Sequence, residues 1–255
     1  MSFVINPYRF GGGAPPGGTL PTPLHWFDLN DDGVWADDGD SATLITLTEP
    51  VGNVTVNATA GVNGQAVAAM SGGGHLTGGS VPWDGTQVGG EDHISFASWY
   101  KITTYSADGS VIIAWREGDA NPYICQINNN KATEQIRVAV GDTTPDYVTA
   151  NGANNTADEG VWIHCAVTWD GTTLRNYKNG VEIATGTNAS TGNFTTANVP
   201  FNLGHIDNQV SSDLFGFMGA TGIWDVALSA TEVSDLYERV NTDGTDGYYA
   251  DYTWT

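Results

Sequence analysis

The stretch from Val161 to Thr187 (VWIHCAVTWDGTTLRNYKNGVEIATGT) constrains the fold more than any other part of the chain. Runs rich in β-branched and aromatic residues are separated by two pairs that favour tight turns, Asp170-Gly171 and Asn179-Gly180. Such pairs suit short hairpins because both central residues of the turn must accept positive φ. The spacing therefore predicts an antiparallel meander of three strands.

The first strand of this meander has two unlike faces. One face carries Ile163, Cys165, Val167 and Trp169, and the other carries Trp162, His164, Ala166 and Thr168. Alternation with a period of two is typical of a strand that packs on a core. Because His164 lies inside this pattern, we expect it to serve packing rather than metal ligation.

The composition extends this local pattern to the whole chain. A length of 255 residues, with 33 Gly and 9 Trp, suits one large domain with many turns and a thick aromatic core. Only one good helix is evident, where Ser229 and Glu232 form a capping box. The apolar residues Val233, Leu236, Tyr237 and Val240 follow at helical spacing. We predict an all-β, two-sheet antiparallel β-sandwich with one short C-terminal helix.

The net charge of −21 limits the classes of partner. It repels phosphate backbones and anionic lipid surfaces, so we expect neither nucleic-acid nor membrane binding. The start of the chain lacks the features of a secretory signal, and the longest apolar run, Val111–Trp115, is too short to span a bilayer. We expect Cys125 and Cys165 to be two buried thiols, with a disulfide as the alternative.

An acidic loop after the first predicted strand is a candidate calcium site. Asp28, Asn30, Asp32 and Gly33 match the start of a calcium-binding loop, where clustered oxygens meet a turn-forming glycine. The twelfth position is Gly39 instead of the glutamate of an EF-hand, so the loop is not an EF-hand. We predict a Ca²⁺ site formed by Asp28, Asn30, Asp32 and Asp37, with a solvated acidic turn as the alternative.

Composition divides the chain into three parts. Residues 1–23 form a Gly/Pro-rich arm that cannot bury a core by itself. We expect it to lie against the flank of the domain or, preferably, a neighbouring subunit. Residues 24–240 form the sandwich domain, and residues 241–255 form an aromatic tail.

The central signature resembles that of laminin-G-like, concanavalin A-like domains. The resemblance rests on Trp162, His164 and Asp170-Gly171, then on Tyr177 and Asn179-Gly180. Asn202-Leu203-Gly204, Phe217-Met-Gly219 and the segment from Ile223 to Val233 match later parts of the family pattern in the same order. The resemblance implies a jelly roll of two packed antiparallel sheets.

The opening MSFVINPYRFGGG resembles the start of virion structural proteins of tailed bacteriophages. This resemblance implies a virion protein that binds the major capsid protein or other virion subunits, most simply as a homotrimeric capsid decoration (cement) protein. The arm residues expected to make assembly contacts are Phe3, Tyr8, Arg9 and Phe10. A tail or adhesion protein that recognises surface glycans is the alternative.

Catalysis is not expected. The glucanase pattern of this fold, E-x-D-x-x-E, needs a third acidic residue after Glu117-Gly-Asp119, and the segment Asn121-Pro122-Tyr123 supplies none. Carbohydrate binding is the competing function, with Trp35, Trp83 and Tyr123 as candidate stacking residues and Trp115 also considered. Packing in the core is the alternative role for each tryptophan.

Overall fold

The structure is a computed structural model that describes residues 20–29, 35–64, 66–86, 92–106, 109–116, 123–130, 135–143, 146–153, 158–187, 194, 198–206 and 212–242. The described strands are β1 (His25–Phe27), β2 (Val54–Asn57), β3 (Val67–Met70), β4 (Leu76–Val81), β5 (Ile94–Thr104), β6 (Ser110–Arg116), β7 (Tyr123–Asn130), β8 (Gln135–Thr143), β9 (Asp146–Ala153), β10 (Ile163–Trp169), β11 (Thr173–Lys178), β12 (Val181–Thr187), β13 (Val199–Leu203) and β14 (Phe215–Trp224). One α-helix in this part of the chain, α1, spans Ala230–Thr242.

These strands form two antiparallel sheets. The eight-stranded sheet has the order β12-β11-β10-β5-β14-β3-β2, with β1 also paired to β14. The six-stranded sheet has the order β4-β13-β6-β7-β8-β9. The predicted two-sheet sandwich with a short C-terminal helix is confirmed.

The meander predicted from sequence is present as β10, β11 and β12. Asn179 and Gly180 have φ of 51° and 77°, as the tight turn requires. The first turn is one residue longer than a two-residue hairpin, because β10 ends at Trp169 and β11 begins at Thr173. Asp170 closes this turn by accepting hydrogen bonds from the backbone N–H of Thr172 and of Thr173, at 3.1 and 2.7 Å.

The core lies between the two sheets and is rich in large side chains. Its fully buried members include Phe27, Phe96, Tyr100, Trp115, Trp169 and Phe201. Cys125 and Cys165 face this interior as free thiols, and burial raises the pKa of Cys165 to about 12. The two buried thiols expected from the sequence are therefore present.

A second apolar cluster covers the outer face of the eight-stranded sheet. Helix α1 packs there through Val233 and Leu236, which contact a layer containing Trp99 and Trp224. The predicted capping box is present, since the Ser229 N–H donates to Glu232 Oε2 at 2.6 Å and the Glu232 N–H donates to Ser229 Oγ at 3.3 Å. The helix marks one side of the sandwich, and the outer face of the six-stranded sheet forms the other side.

Residues just before the predicted boundary at residue 24 also pack on the domain. Leu20 is buried in the outer cluster, and Trp224 Nε1 donates a hydrogen bond to the carbonyl of Pro21 at 2.8 Å. The proposed arm contacts Phe3, Tyr8, Arg9 and Phe10, and the tail beyond residue 242, lie outside the described residues. Within the described part, no helix has the length and apolar character needed to cross a membrane.

Candidate functional site

Asp37, a predicted calcium ligand, is buried beside β1. Its Oδ1 accepts hydrogen bonds from the backbone N–H of Trp26 and Gly39, at 2.9 and 3.0 Å. Its Oδ2 accepts from the Ile45 N–H at 2.9 Å and from His25 Nδ1 at 2.7 Å. Burial acts to raise the pKa of Asp37, but the His25 and backbone hydrogen bonds outweigh it and the pKa is lowered. These four donors account for the carboxylate without a cation.

His25 lies between Asp37 and a second carboxylate. Its Nε2 is 3.6 Å from Asp84 Oδ1, and Asp84 Oδ2 accepts a hydrogen bond from Ser41 Oγ at 2.6 Å. His25 itself is buried, with its ring edge-on to Trp115. This network fastens the acidic loop to β1 and to the segment after Trp83.

The remaining predicted calcium ligands are divided by the limits of the described residues. Asp28 Oδ1 accepts a hydrogen bond from Trp26 Nε1 at 2.7 Å, while Asn30 and Asp32 lie outside the described part. Among the described residues, no group of three or more His, Cys, Asp or Glu side chains has a geometry that could hold a metal ion. The calcium site therefore stays a prediction.

The tryptophans predicted to stack on sugars are in the core. Trp35 and Trp83 are 7% and 6% exposed, and Trp115 is fully buried. Trp83 packs edge-on against Trp115 and Phe194, and its Nε1 donates to Asp92 Oδ1 at 3.2 Å. In this structure, Trp35 and Trp83 offer no open ring face to a ligand and act as packing residues.

The outer face of the six-stranded sheet carries a row of aligned polar and small side chains. Strand register aligns Thr77, Asn202, Ala114, Gln126, Ala139 and Thr149 across all six strands. Their neighbours along each strand face the core, so these side chains point outward. Because alanines lie on both sides of Gln126, the row combines hydrogen-bonding groups with small side chains.

Arg116 and Gln126 form the chemical centre of this sheet face. Arg116 Nη1 donates a hydrogen bond to Gln126 Oε1 at 2.7 Å, which fixes both planar groups. Gln126 is buried, whereas Arg116 and Thr149 are half-buried and Asn151 is exposed. The backbone of Tyr123, the third predicted sugar-binding residue, pairs directly with Arg116. We define the polar sheet face as Arg116, Gln126, Thr149 and Asn151.

Sequence reasoning did not identify Arg116 or Gln126. Each follows or interrupts an apolar run, and neither belongs to a short motif. The only local signal was the alternation of Cys125, Gln126 and Ile127, which places a polar side chain between two apolar ones. Proximity of Arg116 to Gln126 depends on the pairing of β6 with β7.

Comparison with known families supports the fold. A family model described as the concanavalin A-like lectin/glucanases superfamily (Laminin_G_3) matches residues 72–234. A comparison with curated protein sequences gave no significant match.

Solved structures show the same architecture at low sequence identity. Domain 4 of an extracellular arabinanase from Geobacillus stearothermophilus, solved with arabinotriose, is similar with a TM-score of 0.57 and 20% identity, over 86% of this chain and 98% of that one. The binding domain of botulinum neurotoxin serotype D has a TM-score of 0.61 and 14% identity, over 86% of this chain and 52% of that one. A Trypanosoma rangeli sialidase, solved with 2,3-difluorosialic acid, has a TM-score of 0.59 and 16% identity, over 90% and 35% respectively.

Proposed function

The chain belongs to the Laminin_G_3 family of the concanavalin A-like lectin/glucanases superfamily, and from this premise we propose that it binds carbohydrate through the polar sheet face. The observation that carries the proposal is the Arg116–Gln126 pair, fixed by its 2.7 Å hydrogen bond on the sheet face away from helix α1. A guanidinium and an amide, joined by a hydrogen bond, suit the paired hydroxyls of a sugar ring.

The chemistry of the polar sheet face supports this proposal. Arginine supplies only donors, whereas glutamine, asparagine and threonine supply both donors and acceptors. Sugar hydroxyls need both, so a row of such groups matches their hydrogen-bonding pattern. Two of the similar structures carry sugars or sugar derivatives, arabinotriose in the arabinanase domain and 2,3-difluorosialic acid in the sialidase.

A glycan array tests the proposal. We expect the wild type to bind a defined set of glycans, and Arg116→Ala and Gln126→Ala each to weaken that binding about tenfold or more. Arg175→Gln, which removes a cation from the opposite sheet, is the matched control and keeps full binding. A silent array, or binding that survives both substitutions, contradicts the proposal.

We also propose that the domain binds its glycan without cleaving it, since the sequence lacks the third acidic residue of the glucanase pattern in Asn121-Pro122-Tyr123. Glu117 and Asp119 of that pattern lie outside the described residues. Incubation with each bound polysaccharide should release no new reducing ends. Release that is lost on Glu117→Gln substitution would instead indicate a hydrolase.

Calcium belongs to the proposal as a cofactor of the acidic loop, through Asp28, Asn30 and Asp32. Asp37 is excluded from this set because four hydrogen bonds already engage its carboxylate. Isothermal titration with Ca²⁺ should show one site that Asp32→Asn removes. If the wild type gives no binding heat with Ca²⁺, the cofactor proposal is wrong, while the proposal of glycan binding is unaffected.

We further propose that the chain is a virion structural protein of a tailed bacteriophage, most simply a capsid decoration protein that displays this domain. The supporting observation is the opening segment with Asn6-Pro7-Tyr8-Arg9-Phe10, followed by the Gly/Pro tract. The proposed partners are the major capsid protein or other virion subunits, with the chain as a homotrimer. A tail or adhesion role is the alternative within the same proposal.

Deletion of residues 1–19 tests the virion role. This deletion leaves Leu20 and Pro21 in place, so it spares their contacts with the domain. We expect the shortened chain to keep its melting temperature and its glycan binding, and to lose attachment to particles that lack the endogenous protein. Attachment that persists after the deletion would contradict assembly through the arm.

A further inference from the structure

Lys101 differs from Arg175 and Lys178, two other cationic side chains of the eight-stranded sheet. Arg175 bonds Asp170, and Lys178 pairs with Asp158. The Lys101 ammonium has no carboxylate partner among the described residues. It lies instead 4.9 Å from the ring centroid of Phe217 and 5.4 Å from that of Trp162. This arrangement is a cation placed over two aromatic rings.

Strand pairing holds the three side chains together on the outer face of the eight-stranded sheet. Lys101 on β5 is directly opposite Phe217 on β14, and Trp162 immediately precedes β10. The two rings are 6.4 Å apart and tilted by 43°. Trp162 Nε1 donates to the carbonyl of Ala60 at 3.0 Å, which fixes the indole. We call Lys101, Trp162 and Phe217 the Lys101 platform.

The platform lies at the margin of the layer that helix α1 covers. Trp99, two residues before Lys101 on the same face of β5, is buried and stacks on Tyr237 of the helix. Lys101, Trp162 and Phe217 are each half-buried, so all three keep contact with solvent. The platform therefore combines accessible aromatic surface with a positive charge, on a chain whose net charge is −21.

We propose that the Lys101 platform binds a sugar that bears a carboxylate, such as a uronic or sialic acid residue. The ammonium forms a charge-assisted hydrogen bond with the sugar carboxylate, and the apolar C–H face of the sugar packs on the aromatic pair. The overall negative charge does not prevent this, because at physiological ionic strength charges beyond about 8 Å are screened. The platform is on the opposite sheet from Arg116, so this site is independent of the polar sheet face.

The test compares two probes with the same sugar backbone, one with charged carboxylates and one with neutral methyl esters. Hexagalacturonic acid and its fully methyl-esterified form are titrated into the full-length chain at 150 mM salt, on the order of physiological ionic strength. We expect the acid to bind about tenfold more tightly than the ester, the size of one charge-assisted hydrogen bond. Lys101→Gln should abolish this preference, and Lys101→Arg should retain it. Phe217→Leu should weaken both probes, since it removes stacking area and leaves the charge.

Two controls separate this site from alternatives. Arg175→Gln changes the net charge as Lys101→Gln does and should preserve the preference, while melting curves verify that each variant is folded. The proposal is overturned if neither probe binds, if acid and ester bind equally, or if the preference survives Lys101→Gln.

Discussion

The Asp37 carboxylate holds three backbone segments together. It receives the Trp26 N–H from β1, the Gly39 N–H from its own turn and the Ile45 N–H from the following segment. His25 adds a fourth donor on the same carboxylate. A neutral residue at this position could not serve all four donors, since each carboxylate oxygen accepts two of them.

Asp37→Asn should therefore destabilise the domain although it changes only one atom. The amide nitrogen would replace an acceptor and face donors, leaving two of them unmatched. We expect a loss of about 2–4 kcal/mol in the free energy of unfolding, measured by urea denaturation. Asp38→Asn is the matched control, because that side chain is exposed, and it should shift stability by less than about 0.5 kcal/mol. Equal stability of the two variants would show that the Asp37 network contributes little.

At the scale of elements, an unusual histidine lies where α1 packs on the eight-stranded sheet. His164 is fully buried, and neither ring nitrogen has a hydrogen-bond partner among the described residues. Its ring lies 5.2 Å from Trp99 and 6.0 Å from Tyr237 of the helix. Burial lowers the pKa of His164 to about 3, so the ring is neutral in the folded protein at physiological pH.

This burial predicts acid sensitivity in a defined window. The unfolded chain takes up a proton at the ordinary histidine pKa of about 6.5, whereas the folded protein does not until about pH 3. Stability contributed by neutral His164 is therefore complete above pH 6.5 and declines as pH falls towards 3. Between pH 7 and 4.5 the loss should be about 2–3 kcal/mol. His164→Phe should reduce the change in the free energy of unfolding between pH 7 and 4.5, measured by urea denaturation at each pH. An unchanged pH dependence would refute the role given to buried His164.

The turn before β12 also positions α1. Gly180 has φ of 77°, and a Cβ built there lies 3.1 Å from Tyr237 Cδ1 and 3.3 Å from Ser234 Cα. Gly180→Ala therefore combines left-handed backbone strain with displacement of the helix, and we expect a loss of about 2–3 kcal/mol. Gly160→Ala is the matched control, since Gly160 has φ of 78° and nothing lies near its Cβ position. Thermal melts measure both variants. If Gly180→Ala and Gly160→Ala lower the melting temperature equally, the contact between this turn and the helix is unimportant.

At the scale of the molecule, the fold was predictable where its determinants are local. The Asn179-Gly180 turn, the alternation along β10 and the Ser229–Glu232 capping box each lie within a few residues, and all three are present. The strands β4 and β9 were not predicted, because Leu76–Val81 and Asp146–Ala153 contain glycine and polar residues that weaken any periodic pattern. These two segments are strands because their backbones pair with β13 and β8, respectively.

The candidate sites were harder to predict because their members come from different strands. Trp35 and Trp83 looked accessible in loop-like sequence, yet distant segments cover them, as Phe194 covers Trp83. Arg116 meets Gln126 only through the register of β6 and β7. No spacing rule in a single sequence states that register, so the polar sheet face emerges only from the folded chain.

The two sheets are also joined across the core by a polar bond. Asn176 of β11, in the eight-stranded sheet, donates from Nδ2 to the carbonyls of Ile136 and Ala150 in the six-stranded sheet, at 2.8 and 3.3 Å. Asn176→Ala removes the donor and leaves two buried acceptors, so we expect a loss of about 2–3 kcal/mol on urea unfolding. Asn176→Asp should cost more, because a buried carboxylate would then face both carbonyl oxygens. The control is Asn151→Ala, at an exposed amide on the neighbouring β9, which should leave the free energy of unfolding nearly unchanged. An equally small effect of the Asn176 variants would mean that packing alone holds the sheets together.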